Sequence, residues 1–303
     1  MPEEHLPTRL AELKKQRNAV ILAHSYQTAD VQDAADYVGD SLGLSRIAAG
    51  TDADVILFCG VHFMAETAAI LSPRKTVIVP DGNAGCPMAN MVTPRQLKEW
   101  RDNNPDAVVV TYVNSSAAVK ALSDICCTSA NAVEVVRTIP RDRKALFVPD
   151  RNLGHWVMTK LDRPLELWNG FCPTHERMLP EMADEARKKY PGALLLAHPE
   201  CRPSLIERAD FVASTTGIVE YAKKSDAREF IIASEIGILH PLRLACPDKT
   251  FHPLTVIADC PNMKLNSLEK MVWALEDMSP VVAVPPDIAR KALRPIERML
   301  EIA

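Results

Sequence analysis

Val20-Ile-Leu-Ala-His24 is an apolar run that ends on a histidine, and the chain contains two further runs of this kind, Val108-Val-Val-Thr-Tyr112 and Leu194-Leu-Leu-Ala-His198. Their last residues are separated by 88 and by 86 residues. At nearly the same separations each run is followed by an aspartate, a hydroxyl residue and a cysteine: Asp36, Ser41 and Cys86; Asp124, Ser129 and Cys172; Asp210, Thr215 and Cys260. A fixed period of this size indicates internal duplication, here of a unit of about 87 residues.

Apolar runs without alternation and rich in β-branched residues are typical of strands buried on both faces, as in parallel sheets. Such runs predict strands over 19–23, 55–58, 76–79, 107–111, 145–148, 193–197, 230–233 and 254–257. Helical stretches lie between them, over 94–103, 178–190 and 265–278. This alternation predicts an α/β fold of three homologous αβα domains, with short parallel sheets arranged around a pseudo-threefold axis. We expect units over 1–104, 105–190 and 191–285, and a C-terminal helix over 286–303 that packs back on the first unit.

The composition of the 303 residues is that of an ordinary globular protein, with 47% hydrophobic and 24% charged residues. The net charge of −4 provides no basic excess for a phosphate backbone, so we expect no nucleic-acid partner. No apolar run approaches the ~20 residues of a membrane helix, and we expect no membrane partner. The first five residues lack the cationic and apolar regions of a signal peptide, so we expect a cytoplasmic protein.

The repeated polar residues stand where strands are predicted to end. In parallel sheets, ligands bind beyond the carboxyl ends of the strands, beside helix N-termini whose N–H groups suit anions. If the strand ends of three units point inward, the residues that end the first strands and the hydroxyls that follow them converge on one cavity: His24, Tyr112, His198, Ser41, Ser129 and Thr215. The alternative interpretation is that duplication left repeated residues without a shared site.

Three of the eight cysteines stand out because each recurs in the unit and is followed by proline: Cys86-Pro87, Cys172-Pro173 and Cys260-Pro261. Three thiolates from three units could hold zinc or an iron–sulfur cluster. Zinc sites usually take cysteine pairs from one local loop, and no C-x-x-C pair is present. A [4Fe–4S] cluster with three protein thiolates keeps one iron open as a Lewis acid. The remaining five cysteines are predicted to be structural.

Short polar motifs occupy these loop positions: His24-Ser-Tyr26-Gln27, Asp40-Ser41, Asn83-Ala-Gly-Cys86, Tyr112-Val-Asn114, Thr128-Ser129-Ala-Asn131, Trp168-Asn-Gly-Phe-Cys172-Pro-Thr-His175, His198-Pro-Glu200-Cys201 and Ser214-Thr215-Thr-Gly217. In combination they resemble the quinolinate synthase family, from about residue 18 to the C-terminus. That family consists of oxygen-sensitive [4Fe–4S] enzymes of NAD biosynthesis, with three similar α/β domains around the cluster.

The resemblance implies a role for each matched residue. Cys86, Cys172 and Cys260 would bind three irons of a [4Fe–4S] cluster and leave the fourth open. The substrate pocket would be lined by His24, Ser41, Tyr112, Asn114, Ser129, His198, Glu200, Ser214 and Thr215. Acid–base catalysis would fall to Tyr26, Glu200, His24 and His198. His175, three residues after Cys172, is interpreted as a contact to the cluster ligands from outside the cluster, and the alternative is that it caps the following helix.

The resemblance also implies a reaction. Iminoaspartate would condense with dihydroxyacetone phosphate to quinolinate, with loss of phosphate and two waters, and L-aspartate oxidase or aspartate dehydrogenase would supply the iminoaspartate. An iron–sulfur sensor and a zinc lyase are the competing classes. Some members form a regulatory disulfide with a cysteine three residues after the third cluster cysteine. Met263 stands there in this chain, so we expect no such switch.

Two features outside these motifs are open to a functional interpretation. His62 and Glu66 have the i, i+4 spacing of a metal-binding helix, but a solvated helical face is the simpler interpretation. Arg202 follows the His198-Pro-Glu200-Cys201 motif and either meets a carboxylate or lies on the surface.

Overall fold

The computed structural model describes residues 5–302, and it is an α/β fold with three four-stranded sheets. Every pair of neighbouring strands within these sheets is parallel. The fold class and the three parallel sheets predicted from the sequence are therefore confirmed. The pseudo-threefold arrangement and the exact unit boundaries stay predictions. None of the helices in the described part combines the length and apolar character needed to cross a bilayer.

The first sheet contains the strands β1 (Ala19–His24), β2 (Tyr37–Gly39), β3 (Val55–Cys59) and β4 (Thr76–Ile78). The helix α1 (Leu6–Gln16) precedes β1, the connections contain α2 (Ala29–Asp33), α3 (Ser41–Gly50) and α4 (His62–Leu71), and a 3₁₀ turn over Met88–Met91 follows β4. The strand order is β2-β1-β3-β4, so the winding of the sheet reverses between β1 and β3. This switch point is where ligands bind in open α/β sheets.

The second sheet repeats this order with β5 (Val108–Tyr112), β6 (Ile125–Cys127), β7 (Ala145–Val148) and β8 (Glu166–Leu167). Its helices are α5 (Pro94–Asp102), α6 (Ala117–Lys120), α7 (Ala132–Arg137), α8 (Arg151–Leu161) and α9 (Pro173–Glu176). The helix α5 starts with a capping box, in which Thr93 accepts from the Gln96 N–H and Gln96 accepts from the Thr93 N–H. This local signal fixes where α5 begins.

The third sheet contains β9 (Leu194–Ala197), β10 (Phe211–Val212), β11 (Glu229–Ala233) and β12 (Thr250–Pro253), in the same order. The helices that follow the second sheet are α10 (Pro180–Lys189), α11 (Pro203–Ile206), α12 (Thr215–Lys224), α13 (Leu239–Ala245), α14 (Leu268–Asp277) and α15 (Pro286–Glu301), with 3₁₀ turns over Ile236–Ile238 and Met263–Leu265. The strand predicted over 254–257 is wrong. The ladder with β11 ends at Pro253, and Val256 and Ile257 are 73% and 50% exposed. Because β12 is an edge strand, it tolerates the proline and needs little apolar character.

The repeated aspartates fix each first strand to its unit. Each accepts a hydrogen bond from a backbone N–H of that strand, in the pairs Ile21–Asp36 (2.9 Å), Val109–Asp124 (2.7 Å) and Leu195–Asp210 (2.7 Å). Each also pairs with a cation on the helix before the strand, Lys14, Arg101 or Arg187. The duplication therefore preserved a structural hydrogen bond as well as the cavity positions.

Side-chain alternation along the strands connects the three units into one core. In the first sheet, Val20, Leu22, Ile56 and Phe58 belong to a cluster shared with the other two sheets. The residues between them pack against α1 and α14 in a separate cluster: Ile21, Ala23, Leu57 and Cys59. Because successive residues of a strand point to opposite faces, each sheet contributes one face to the common core and one to the helices on its other side.

The helices that follow the repeat cysteines pack against the next unit. The helix α5 contacts α6, α10 contacts α11, and α14 contacts α1 and β3 of the first unit. The last helix, α15, contacts α4 of the first unit and also β6 and α6 of the second. This cyclic exchange of helices supports the predicted arrangement around an axis, since each unit is completed by a segment of the preceding one.

Candidate active site

Loop residues from all three units line one cavity of about 130 Å³. Twelve of the thirteen residues assigned to a site from the sequence lie in its wall: His24, Tyr26, Ser41, Cys86, Tyr112, Asn114, Ser129, Cys172, His198, Glu200, Thr215 and Cys260. They lie at or beyond the carboxyl ends of the strands, as expected for parallel sheets. The repeat positions therefore meet around one space.

Ser214 is the exception among the sequence-assigned residues. Its hydroxyl accepts the Gly217 N–H at 3.2 Å and so caps α12, as Asp40 caps α3 through the Gly43 N–H at 3.0 Å. Ser214 is absent from the cavity wall, whereas Thr215, the first residue of α12, lines it. Within this pair, the structure gives the capping contact to the first hydroxyl and the cavity contact to the second.

The three repeat cysteines differ from the other five in exposure. Cys86, Cys172 and Cys260 are half-buried and line the cavity, whereas the other five are buried. Burial raises the pKa of the Cys86 thiol to about 12 and also raises the pKa values of Cys172 and Cys260. A cation among the sulfurs would reverse this effect, because it stabilises the thiolate. The donor set thus fits a thiolate-bound metal group.

The spacing of the sulfurs favours a large group over a single ion. Within residues 5–302, one group of three or more His, Cys, Asp or Glu side chains has all its potential metal-ligand atoms within 4.8 Å of one another. It consists of Cys172, His175 and Glu200. At least two of the sulfurs of Cys86, Cys172 and Cys260 are therefore more than 4.8 Å apart. Tetrahedral zinc with Zn–S bonds of about 2.3 Å holds its sulfurs within about 4 Å. The separation of at least one sulfur pair therefore exceeds that of a single zinc site.

Glu200 is the buried charge at the centre of the site. Its Oε1 accepts from the Tyr112 hydroxyl at 2.7 Å and from Asn114 Nδ2 at 3.4 Å, and its Oε2 lies 2.8 Å from His175 Nδ1. Burial alone would raise the pKa of Glu200, but its contacts with His175, and after them His198 and the Tyr112 hydroxyl, outweigh burial and lower the pKa to about 2. Glu200 is therefore ionised, while burial keeps the pKa of Tyr112 well above its usual value, so that the phenol donates.

His24 and His198 share one backbone arrangement at equivalent positions of units one and three. The Nδ1 of His24 accepts the Tyr26 N–H at 3.1 Å, and the Nδ1 of His198 accepts the Glu200 N–H at 3.3 Å. Burial lowers the pKa of His24 to about 4 and that of His198 to about 3. Both rings are therefore neutral at pH 7 with the proton on Nε2, and His198 Nε2 lies 3.2 Å from Ser129 Oγ.

A second hydrogen-bonded chain passes from Thr215 to the cysteine loop. Thr215 Oγ1 donates to the Tyr26 oxygen at 3.1 Å, and that hydroxyl is 2.9 Å from Ser234 Oγ. Ser234 Oγ is 3.5 Å from His175 Nε2, and His175 Nδ1 is 3.2 Å from Cys172 Sγ. His175 thus contacts both the cysteine and Glu200. Sequence analysis missed Ser234, which directly follows β11.

Glu235, next to Ser234, was also missed. Its Oε1 accepts the Cys260 N–H at 3.1 Å and the Lys264 ammonium at 2.7 Å, and its Oε2 accepts the Gly237 N–H at 2.7 Å. Glu235 therefore holds the third cysteine loop in place. The Asp40 carboxylate likewise accepts from a backbone N–H. Among the three carboxylates in the cavity wall, Glu200 is therefore the one whose carboxylate contacts only other side chains. Among the described residues lining the cavity, Arg177 is the one arginine or lysine.

The two open interpretations outside the motifs are resolved by contacts. Glu66 Oε2 accepts the Ala117 N–H at 2.9 Å and so joins α4 to the start of α6. The interpretation of its helical face as merely solvated is therefore wrong for Glu66, whereas His62 is exposed. Arg202 meets a carboxylate, since its Nη2 lies 3.4 Å from Glu176 Oε1.

The three sheets and the buried acid–base residues around three thiols define an α/β enzyme with a composite active site. Residues 8–301 match the family model described as quinolinate synthetase A protein. The chain is 53% identical to quinolinate synthase of Geobacter metallireducens and 52% identical to quinolinate synthase 1 of Methanosarcina acetivorans. Each alignment covers 100% of this chain and 99% of the relative. It is 48% identical to quinolinate synthase of Synechocystis, covering 100% and 98%. The chain belongs to the quinolinate synthase family.

Proposed function

We propose that this chain condenses iminoaspartate with dihydroxyacetone phosphate to quinolinate, releasing phosphate and two waters. The observation that supports this most is the convergence of twelve matched residues, from three duplicated units, on one cavity. The family assignment over nearly the whole chain supports the same reaction.

Cys86, Cys172 and Cys260 would hold a [4Fe–4S] cluster with one iron free of protein ligands. The support is the donor set of three half-buried thiols and a sulfur spacing too wide for one zinc ion. When bound, such a cluster supplies a Lewis acid for a substrate hydroxyl or carbonyl. The Glu235 contact to the Cys260 N–H and the His175 contact to Cys172 Sγ would orient two of the ligands.

The wall of the cavity suits substrates with two carboxylates and a phosphate. Ser41 and Thr215 are the first residues of two ten-residue helices, whose free N–H groups favour anions. The neutral Nε2–H groups of His24 and His198 are further donors. Arg177 would bind an anionic group at the cavity wall, and its exposure would let that group enter from solvent.

Glu200 and Tyr26 would move the protons of the reaction. Glu200 is ionised and can accept a proton when substrate displaces one of its side-chain partners. Burial keeps the pKa of Tyr26 well above its usual value, so its hydroxyl remains protonated and can donate. The chain Thr215–Tyr26–Ser234–His175 connects this donor to the cysteine loop.

The proposal includes a cytoplasmic location and an iminoaspartate-producing partner. All eight cysteines are free, as expected in a reducing compartment. L-aspartate oxidase or aspartate dehydrogenase would supply iminoaspartate, because each oxidises the amine of aspartate to the imine.

Anaerobic protein, assayed for iron, sulfide and quinolinate, tests the proposal. We expect a brown, air-sensitive protein that releases phosphate and forms quinolinate from freshly generated iminoaspartate. Glu200→Gln should retain iron and lose about 100-fold or more in turnover, because a proton-transfer group is removed. Glu220→Gln, an exposed acid on α12, is the matched control and should be unaffected. A colourless zinc protein refutes the cluster, and a coloured protein without quinolinate favours a sensor.

A further inference from the structure

The side chain of Asn152 hydrogen-bonds to two cavity loops from outside the cavity. It is the second residue of α8, its side chain is buried, and it is absent from the cavity wall. Its Nδ2 donates to Glu176 Oε2 at 3.0 Å and to the Glu200 backbone oxygen at 3.0 Å. A side-chain amide has two N–H donors, so both are used. One amide thus connects the loop after Cys172 to the loop that carries Glu200.

Both joined residues belong to the contact at the centre of the site. Glu176 directly follows His175, and His175 Nδ1 is 2.8 Å from Glu200 Oε2. Asn152, Glu176, His175 and Glu200 therefore form a closed ring between units two and three. A displacement of either loop would lengthen the 2.8 Å contact between His175 Nδ1 and Glu200 Oε2.

Arginines from both units balance the charge of Glu176. Arg151 Nη2 lies 2.8 Å and Arg202 Nη2 lies 3.4 Å from Glu176 Oε1, and Arg202 Nε donates to the Glu176 backbone oxygen at 2.8 Å. The Glu176 side chain is only 15% exposed, so these contacts are weakly screened. The carboxylate is thus held in one orientation, with Oε2 available to Asn152.

We propose that Asn152 and Glu176 are positioning residues that set the His175–Glu200 contact without touching substrate. The kinetic part of this inference rests on the proposed function. Asn152→Asp has the same shape but no N–H donor and places a second carboxylate against Glu176. A displacement of about 1 Å at a catalytic group reduces turnover up to about 100-fold. We expect kcat per bound iron to fall about 10- to 100-fold, with KM within about threefold.

The matched control is Asn104→Asp, at a half-buried asparagine between α5 and β5 and away from the cavity, where kcat should be unchanged. Adding Glu176→Gln to Asn152→Asp restores the net charge and one donor–acceptor pair, and should recover part of the lost kcat. Glu176→Gln alone serves if Asn152→Asp does not fold. A kcat within twofold of the parent, or a loss fully explained by lost iron, overturns the inference.

A readout without turnover separates the inference from the proposed function. In the metal-free protein, the imidazole ¹⁵N signal of His175, assigned with His175→Asn, should shift in Asn152→Asp and stay unchanged in Asn104→Asp. An unchanged His175 signal in Asn152→Asp refutes the positioning role whatever reaction the enzyme catalyses. Absence of quinolinate formation by the iron-loaded parent refutes only the proposed function.

Discussion

Removing one repeated aspartate should destabilise its unit far more than removing a surface ion pair. Asp124 accepts from the buried Val109 N–H at 2.7 Å and from two guanidinium nitrogens of Arg101 at 2.9 and 3.3 Å. Asp124→Ala breaks these bonds and leaves the Val109 N–H, at the centre of the second sheet, without its partner. The substitution lies outside the cavity, so its effect is one of stability.

The magnitude follows from the two kinds of contact. A hydrogen bond to a charged group contributes about 1.5–3 kcal/mol. The side chains of Arg101 and Asp124 are each 31% exposed, so their ion pair adds at most about 1 kcal/mol. We therefore expect Asp124→Ala to lose about 3 kcal/mol. Asp124→Asn, which keeps one oxygen acceptor, should lose about half of that.

Urea unfolding of the metal-free protein measures this loss, and tryptophan fluorescence suits it because Trp100, Trp156 and Trp168 lie around the second sheet. Asp102→Ala is the control: Asp102 pairs with Lys98, both side chains are more than 60% exposed, and within residues 5–302 its carboxylate accepts from no backbone N–H. It should change the free energy of unfolding by less than about 0.5 kcal/mol. Equal losses in Asp124→Ala and Asp102→Ala would show that the strand-fixing hydrogen bond contributes nothing.

Three further predictions concern the cavity. Cys172→Ser should abolish both iron content and turnover in anaerobic protein, and full colour with normal turnover would remove Cys172 from the ligand set. The pKa of His24 falls from 6.5 to about 4 on folding, so between these pH values the unfolded chain binds the extra proton. The free energy of unfolding should therefore decrease by on the order of 3 kcal/mol as pH falls from about 6.5 to about 4. The urea midpoint of His24→Asn should depend less steeply on pH than that of the parent, and an equal dependence contradicts the assignment. Ser214→Ala should lower stability by about 1 kcal/mol with KM unchanged, whereas Thr215→Ala should raise KM, and the reverse pattern would exchange the two roles.

Duplication is what made the site predictable from the sequence. Equal spacing identifies loop positions that share a backbone geometry, and parallel topology places those loops at one edge of each sheet. Contacts between units have no such signal: the Glu66 bond to the Ala117 N–H joins residues 51 apart. Neighbouring hydroxyls such as Ser214 and Thr215 are chemically alike, so only the start of α12 decides which one caps it. The edge strand β12 also escaped prediction, because its pairing depends on β11 rather than on its own apolar content.

The same duplication explains how one cavity acquires different chemical groups. Two residues after the end of each first-strand run, the three units carry a phenol, an amide and a carboxylate, at Tyr26, Asn114 and Glu200, and all three line the cavity. Asn114 Nδ2 lies 3.4 Å from Glu200 Oε1, so equivalent positions of different units are within contact of one another. A single sheet would present such a residue to solvent, whereas edges that face each other bury it and shift its pKa. Divergence at one repeated position therefore supplied a hydrogen-bond donor, an acceptor and a charge to the same cavity. Each unit contributes a group that the other two units do not carry at that position.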